Sequence, residues 1–389
     1  MMLGLLLARA GVPVVVLEKH ADFLRDFRGD TIHPSTLELI QELGLLDRFL
    51  ALPHQTVSQL PVQIGSETIP IADFGRLRTH SKFIAMMPQW DFLNFLAKEA
   101  AGYSGFRLVM RAEVTELIEE NGRVAGLRAT TPAGPLEVRA LLVVGADGRG
   151  SVVRERAGLH VEDLGAPMDV LWFRLSRRPG DPDQTMGRFD PGRIFVSINR
   201  GEHWQFGYVV PKGGIEDTHR RGLPAFRAEV ARLAPYTAGR VDELATWDDV
   251  KLLTVKVDRL RAWCRPGLLC IGDAAHAMSP VGGIGINLAI QDAVAAANLL
   301  WRPLRDNQLT IEHLRRVQQR RQFPTRLTQW LQVQAQTRII SRVLGRATAI
   351  RPPLLLRLLG RFPWLRRFPA RLIGIGVRPE HVQSPSLPV

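Results

Sequence analysis

A chain of 389 residues exceeds what one hydrophobic core ordinarily serves, so two or three packed units are expected, and 46% hydrophobic content can fill them. The two cysteines, Cys264 and Cys270, exclude a disulfide framework and a C-x-x-C pair, which points to a reducing cytoplasm. The net charge of +13 is uneven: beyond residue 300 lie 17 arginines, no lysine and three acids, a local +14, so residues 1–300 sum to about −1 and basicity belongs to the tail alone.

Residues 1–11 read as an apolar helix stopped by a glycine. They lack the basic start of an export signal, and VPVVVLEK follows as a clean strand, residues 12–17, closed by Glu18 and Lys19. After Arg25 and Arg28, Pro34-Ser35-Thr36 opens an amphipathic helix with Leu37, Ile40, Leu43 and Leu46 on one face. Residues 53–87 alternate and are rich in β-formers, an excursion into a second sheet. Residues 88–100 read as a helix with Gln89 at its start, where an N-terminal cap is one role for that side chain. Residues 106–114, 123–130 and 136–144 form a strand-turn-strand-strand group. It runs into LLVVGADGRGSVVRERAGL: a buried strand, then Gly145, Asp147 and Gly148, then a helix carrying Arg154. A plain Asx-turn is the other reading of that Asp-Gly pair.

Residues 170–210 and 250–257 are strand-like, with a helical insert at 223–233 between them. Phe173, Phe189, Phe195, Trp204, Phe206 and Tyr208 could line a substrate pocket, although alternating aromatics on a sheet are more often core. The densest signal follows at 268–293. An apolar run, Leu268 to Gly272, ends in Asp273; then come Pro280, glycines at 282, 283 and 285, and a helix starting near Ile286 and Asn287. A carboxylate at the carboxyl end of a buried parallel strand lies in the crevice where open α/β sheets bind ligands. Glycines admit a flat ligand close to the backbone, and a helix N-terminus favours its anionic edge. A flavin is such a ligand. No run of 18 apolar residues occurs, so no membrane-spanning helix is expected. From Glu312 onward helices dominate. Residues 338–376 mix Leu, Ile, Phe and Trp with arginines, a composition that can lie on an anionic membrane or pack across the first domain with its arginines solvated. No nucleic-acid-reading motif accompanies the charge, and no histidine spacing suggests a metal.

The 268–293 stretch and the 145–154 stretch, in this order, resemble the two downstream cofactor motifs of the class A flavoprotein monooxygenases, the para-hydroxybenzoate hydroxylase type. The resemblance covers residues 1–330. It implies an α/β chain with a Rossmann-like FAD-binding domain (1–52, 88–165 and 259–330), an inserted β-sheet substrate domain (53–87 and 166–258) and a basic helical tail (331–389). It assigns Glu18, Lys19, Arg28, Gln89, Asp147, Gly148, Arg154, Gly272, Asp273, Pro280, Gly282, Gly285, Ile286 and Asn287 to the cofactors FAD and NAD(P)H, and places His276 as packing beside the loop. The family carries a strand and a Gly-x-Gly-x-x-Gly turn ahead of a helix like 1–9; these are expected just upstream of Met1. The implied reaction is flavin reduction by NAD(P)H, O₂ addition to give a flavin hydroperoxide, and hydroxylation or epoxidation of a lipophilic or aromatic molecule. No acid-base residue and no metal are implied, because the cofactor carries the chemistry. An FAD-dependent reductase of isoprenoid-like lipids and a non-catalytic remnant are the alternatives.

Overall fold

The computed structural model describes residues 1–24, 31–345 and 352–387. Its first helix, Met2–Arg9, is apolar on nearly every side because it is enclosed, packing on the helices Gln89–Ala100 and Gly285–Arg305. Gly11, at φ +74°, ends the turn, a conformation that excludes most side chains. The strand Val14–Glu18 pairs in parallel with Phe106–Met110, and Val143–Gly145 pairs in parallel with Leu268–Cys270. These all-apolar runs are what parallel strands under helices require. The helices Pro34–Glu42 and Gln89–Ala100 close the same core, with Leu37, Ile40, Phe92 and Leu96 fully or nearly fully buried.

The expected single strand over 106–114 is divided. Phe106–Met110 ends at Arg111, which adopts φ +54°, and Glu113–Glu120 starts an antiparallel sheet with Arg123–Thr131 and Gly134–Arg139. The glutamates of that strand face water, where Glu116 and Glu120 meet Arg128 and Arg139. The expected strand over 250–257 shortens to Lys251–Leu253.

A seven-stranded sheet draws its strands from two parts of the chain. Its order is Lys251–Leu253, Met168–Ser176, His203–Pro211, Arg193–Asn199, Met186–Asp190, Gln59–Ile64 and Glu67–Asp73. Strand alternation sends Phe173, Phe195, Phe206 and Tyr208 to one face, where they pack with Trp204 against Phe226, Val230 and Leu233 of the helix Leu223–Leu233. Those five aromatics are therefore core and not pocket. Phe189 alone of the six falls on the opposite face, with Val170, Val209 and Val281.

The tail also differs from expectation. The helices Leu354–Arg361 and Arg367–Gly374 pack on the edge strand Glu67–Asp73 of the seven-stranded sheet. Residues 378–387 return to the first domain. Gly285–Arg305 is long and apolar enough to cross a membrane by length and composition, yet most of it is buried between Met2–Arg9 and Ile311–Ala335.

Candidate active site

Two strand ends bring the motifs together. Gly145 lies opposite Cys270, and the Ile271 N–H donates to the Gly145 carbonyl at 3.0 Å, so the loops that follow emerge side by side. Gly145 lets the two strands and the helix crowd together at this crossing, since a Cβ there would lie 3.0 Å from Val153 and 3.1 Å from the Cys270 sulfur. Across the gap, Arg149 Nε donates to Asp273 Oδ2 at 3.1 Å, and its Nη2 donates to the Met278 carbonyl at 3.2 Å. Both side chains remain about one-third exposed, at 30% and 33%. Arg149 was not singled out in the sequence because one arginine in a loop carries no periodic or motif signal.

Asp147 has a defined local task. Its Oδ1 accepts from Ser151 Oγ at 2.5 Å and its Oδ2 from the Val153 N–H at 3.1 Å, which holds in place Ser151, the N-cap of the helix Val152–Arg156, whose Oγ accepts from the Arg154 N–H at 3.0 Å. Gly148 follows at φ +85°. Arg154 reaches back under the second motif, donating to Asp258 Oδ1 and to the Ala274 carbonyl, both at 3.4 Å, and to the Arg149 carbonyl.

The loop after Asp273 is held from beneath. Asp292, fully buried, accepts from the Gly272 N–H at 3.1 Å, from His276 Nε2 at 2.6 Å and from Arg321 Nε at 2.9 Å. Burial would raise its pKa, but His276 and Arg321 together hold it below the ordinary carboxylate value. His276 is buried and lies against Trp263, ring centres 4.9 Å apart. Burial pushes the Cys270 thiol up to about 12, so it is inert packing.

Asn287 organises the glycine loop. Its Oδ1 accepts from the His33 N–H at 2.9 Å and Thr36 Oγ1 at 2.7 Å, while Nδ2 donates to the Thr31 carbonyl at 3.0 Å. Thr31 Oγ1 donates to the Gly283 carbonyl at 2.9 Å, and a Cβ on Gly283 would lie 2.4 Å from that hydroxyl. The side chain of Asn287 is therefore engaged within the protein; only its backbone N–H is left for a ligand. The helix Gly285–Arg305 starts with no side-chain cap and no acid in its first turn. The N–H groups of Gly285, Ile286 and Asn287 have no carbonyl one turn earlier to bind. Gly282, at φ +80°, follows Pro280 in this turn.

Glu18 ends its strand half-buried and accepts from the His20 N–H at 2.9 Å; Lys19 beside it is exposed. Burial lowers the pKa of the Met1 ammonium, and the Glu18 carboxylate opposes that shift. Gln89 occupies the first turn of its helix, which has no side-chain cap, so the capping role is not realised. Arg28 lies outside the described residues. Among the described residues no group of His, Cys, Asp or Glu has the arrangement of a metal site.

A strand-end carboxylate, a cradle without side chains and an uncapped helix N-terminus fit a flat, hydroxylated ligand with an anionic edge, which is what the isoalloxazine and ribityl parts of FAD present. The fold and this site define an α/β enzyme that binds a nucleotide cofactor. The chain belongs to the family described as FAD binding domain, whose model matches residues 1–331; it is an FAD-dependent monooxygenase.

It is similar to 6-methylpretetramide 4-monooxygenase of Streptomyces rimosus, 32% identical over 384 residues that span 98% of this chain and 91% of that protein. A 12-dehydrotetracycline 5-monooxygenase/anhydrotetracycline 6-monooxygenase from Streptomyces rimosus subsp. rimosus is 28% identical over 78% of this chain and 60% of its own length. The crystal structure of p-nitrophenol 4-monooxygenase PnpA from Pseudomonas putida shares the fold, with a TM-score of 0.76, 20% identity and coverage of 95% and 93% of the two chains.

Proposed function

We propose that this enzyme transfers one atom of O₂ to a lipophilic aromatic substrate, with NAD(P)H as the electron donor. The balance is substrate, O₂, NAD(P)H and a proton giving hydroxylated or epoxidised product, water and NAD(P)⁺. The observation that carries the reading is the joining of Asp273 and Arg149 at one strand end, followed by a loop whose Val281 packs in one cluster with Val170, Val209 and Trp172 of the seven-stranded sheet. Bound FAD would supply the redox and oxygen chemistry that no side chain here can.

In this reading Asp273 accepts from ribityl hydroxyls, Gly272 and Pro280 to Gly285 leave room for the ring, and the N–H groups of Gly285, Ile286 and Asn287 face its anionic edge. Asp147 and Gly148 with Arg154 shape the neighbouring loop, Glu18 and Lys19 hold the adenosine end, and Gln89 and Arg28 complete the cofactor set. The substrate lies on the sheet face opposite the aromatic core. Trp172, Gly207, Val196, Gly187 and Val62 stand in one register row across four adjoining pairings. Two of the five have no side chain, and the Trp172 ring lies over Gly207, where a Cβ would meet it at 3.1 Å, so Trp172 is the aromatic side chain this row offers a flat molecule. The names of the two Streptomyces relatives above carry three polycyclic substrates, which supports a polycyclic aromatic molecule here.

The test is oxygen and NAD(P)H consumption with a panel of polycyclic phenols, read together with incorporation of ¹⁸O from ¹⁸O₂ into product. NAD(P)H oxidation that depends on substrate but consumes no oxygen would overturn the reading in favour of a reductase. Asp273→Ala is expected to weaken FAD retention about 10- to 100-fold, the loss that follows removal of a charge-assisted hydrogen bond. Visible absorbance of the purified variant measures it, and full flavin occupancy would remove Asp273 from the assignment.

A further inference from the structure

The tail leaves an apolar surface facing outward. On Leu354–Arg361, Leu354 and Leu355 are 73% and 66% exposed, and Leu358 and Phe362 continue the same stripe. On the next segment Trp364 and Phe368 are 52% and 53% exposed, with Leu372 one turn further on. One helix turn separates 354 from 358, 364 from 368 and 368 from 372, so these are faces and not scattered residues. Only Leu359, Ala370 and Gly374 of these two helices are buried. Single exposed apolar residues are ordinary, but a contiguous set of leucines and aromatics marks an interaction surface.

The charge around this surface selects its partner. Between Glu312 and Glu380 the sequence contains no acid, and Arg357, Arg361, Arg367 and Arg371 are exposed beside the apolar stripes. The Arg367 guanidinium sits 4.9 Å from the Phe368 ring centre and 5.9 Å from that of Trp364, so cation and aromatic occupy one level of the surface. Arg366 instead donates to the Leu359 and Gly360 carbonyls at 2.9 Å, which fixes the turn between the two helices. A second copy of the same face would bring arginine against arginine, which disfavours self-association.

We propose that residues 354–372 form a surface that seats on an anionic lipid bilayer. Leu354, Leu355, Leu358, Phe362, Trp364, Phe368 and Leu372 enter the boundary between headgroups and acyl chains, and the four arginines meet lipid phosphates, the composition of helices that lie in the membrane plane. This is a peripheral seat, independent of the reaction proposed above.

The full chain is to be sedimented with vesicles of phosphatidylcholine alone and of phosphatidylcholine mixed with phosphatidylglycerol. Binding is expected to the anionic vesicles only, and to fall as salt rises. Arg357→Gln with Arg361→Gln should lower the partition coefficient about 25-fold, at about 5-fold per arginine. Trp364→Glu with Phe368→Glu should lower it at least about 10-fold. Unchanged circular dichroism checks the fold of each variant, and the salt and lipid series on the unaltered chain decides the matter if either misfolds. Absence of binding, equal binding to neutral vesicles, or lipid-free self-association that Trp364→Glu with Phe368→Glu abolishes would each overturn the proposal.

Discussion

His33 sits at 0% exposure between the glycine loop and the tail, and its Nδ1 donates to the Ile373 carbonyl at 2.8 Å. Burial pushes its pKa down to about 4; the bond to Ile373 opposes that shift only in part. An imidazole that is harder to protonate when folded makes the unfolded chain bind more protons between its ordinary value of 6.5 and about 4. Stability contributed by neutral His33 is therefore present above that window, lost as pH falls through it, and constant below. The expected loss from this group between pH 7 and pH 5 is about 2 kcal/mol. Urea midpoints at the two pH values, compared with those of His33→Gln, isolate it. If the variant keeps the same pH slope, the acid sensitivity originates elsewhere.

At the scale of elements, the two cofactor motifs were legible because each compresses a buried strand, an acid and glycines into one short stretch. That His276 and Arg321 share Asp292 becomes visible only in the fold, since 16 and 29 residues separate them from it. Strand parity was the hardest quantity to read. Phe173 and Trp172 are neighbours in the chain on opposite faces of the sheet, and nothing local tells which face meets the helix Leu223–Leu233. A one-residue shift of the same pattern exchanges core for site. The long helix Ile311–Ala335 was readable as a helix but not for its task. Gln329 donates to the Asp258 and Ala277 carbonyls, and Gln332 to those of Ser279 and Val281, the latter at 3.0 Å. Three and four residues apart, Gln329, Gln332 and Gln336 hold the loop from one face, yet glutamines at helical spacing look the same on a solvated surface.

For the whole molecule, the strap at 378–387 decides how the first domain closes. Asn298 Oδ1 accepts from the Gln383 N–H at 2.8 Å, Glu42 Oε2 from the Val382 N–H at 2.7 Å, and the Leu387 N–H donates to the Arg9 carbonyl at 3.0 Å. Three helices distant in sequence are thereby joined, a pairing that no local pattern encodes. The charged centre of this strap is Glu380, whose Oε1 accepts from Arg321 Nη1 at 3.2 Å and from Arg320 Nε at 2.8 Å. Since Arg321 also holds Asp292, and Asp292 holds the Gly272 N–H, the strap is coupled to the loop after Cys270 through three buried side chains. Removing one partner from such a set leaves an uncompensated buried charge, so Glu380→Ala is expected to cost about 3–5 kcal/mol of folding stability. It should lower the urea midpoint without changing the slope of the transition, because the surface exposed on unfolding is unaltered. Glu380→Gln keeps the shape and one acceptor and is expected to lose less. A Glu380→Ala midpoint equal to that of the unaltered protein would mean that Arg321 is balanced by Asp292 alone, and that the strap and the loop are energetically separate.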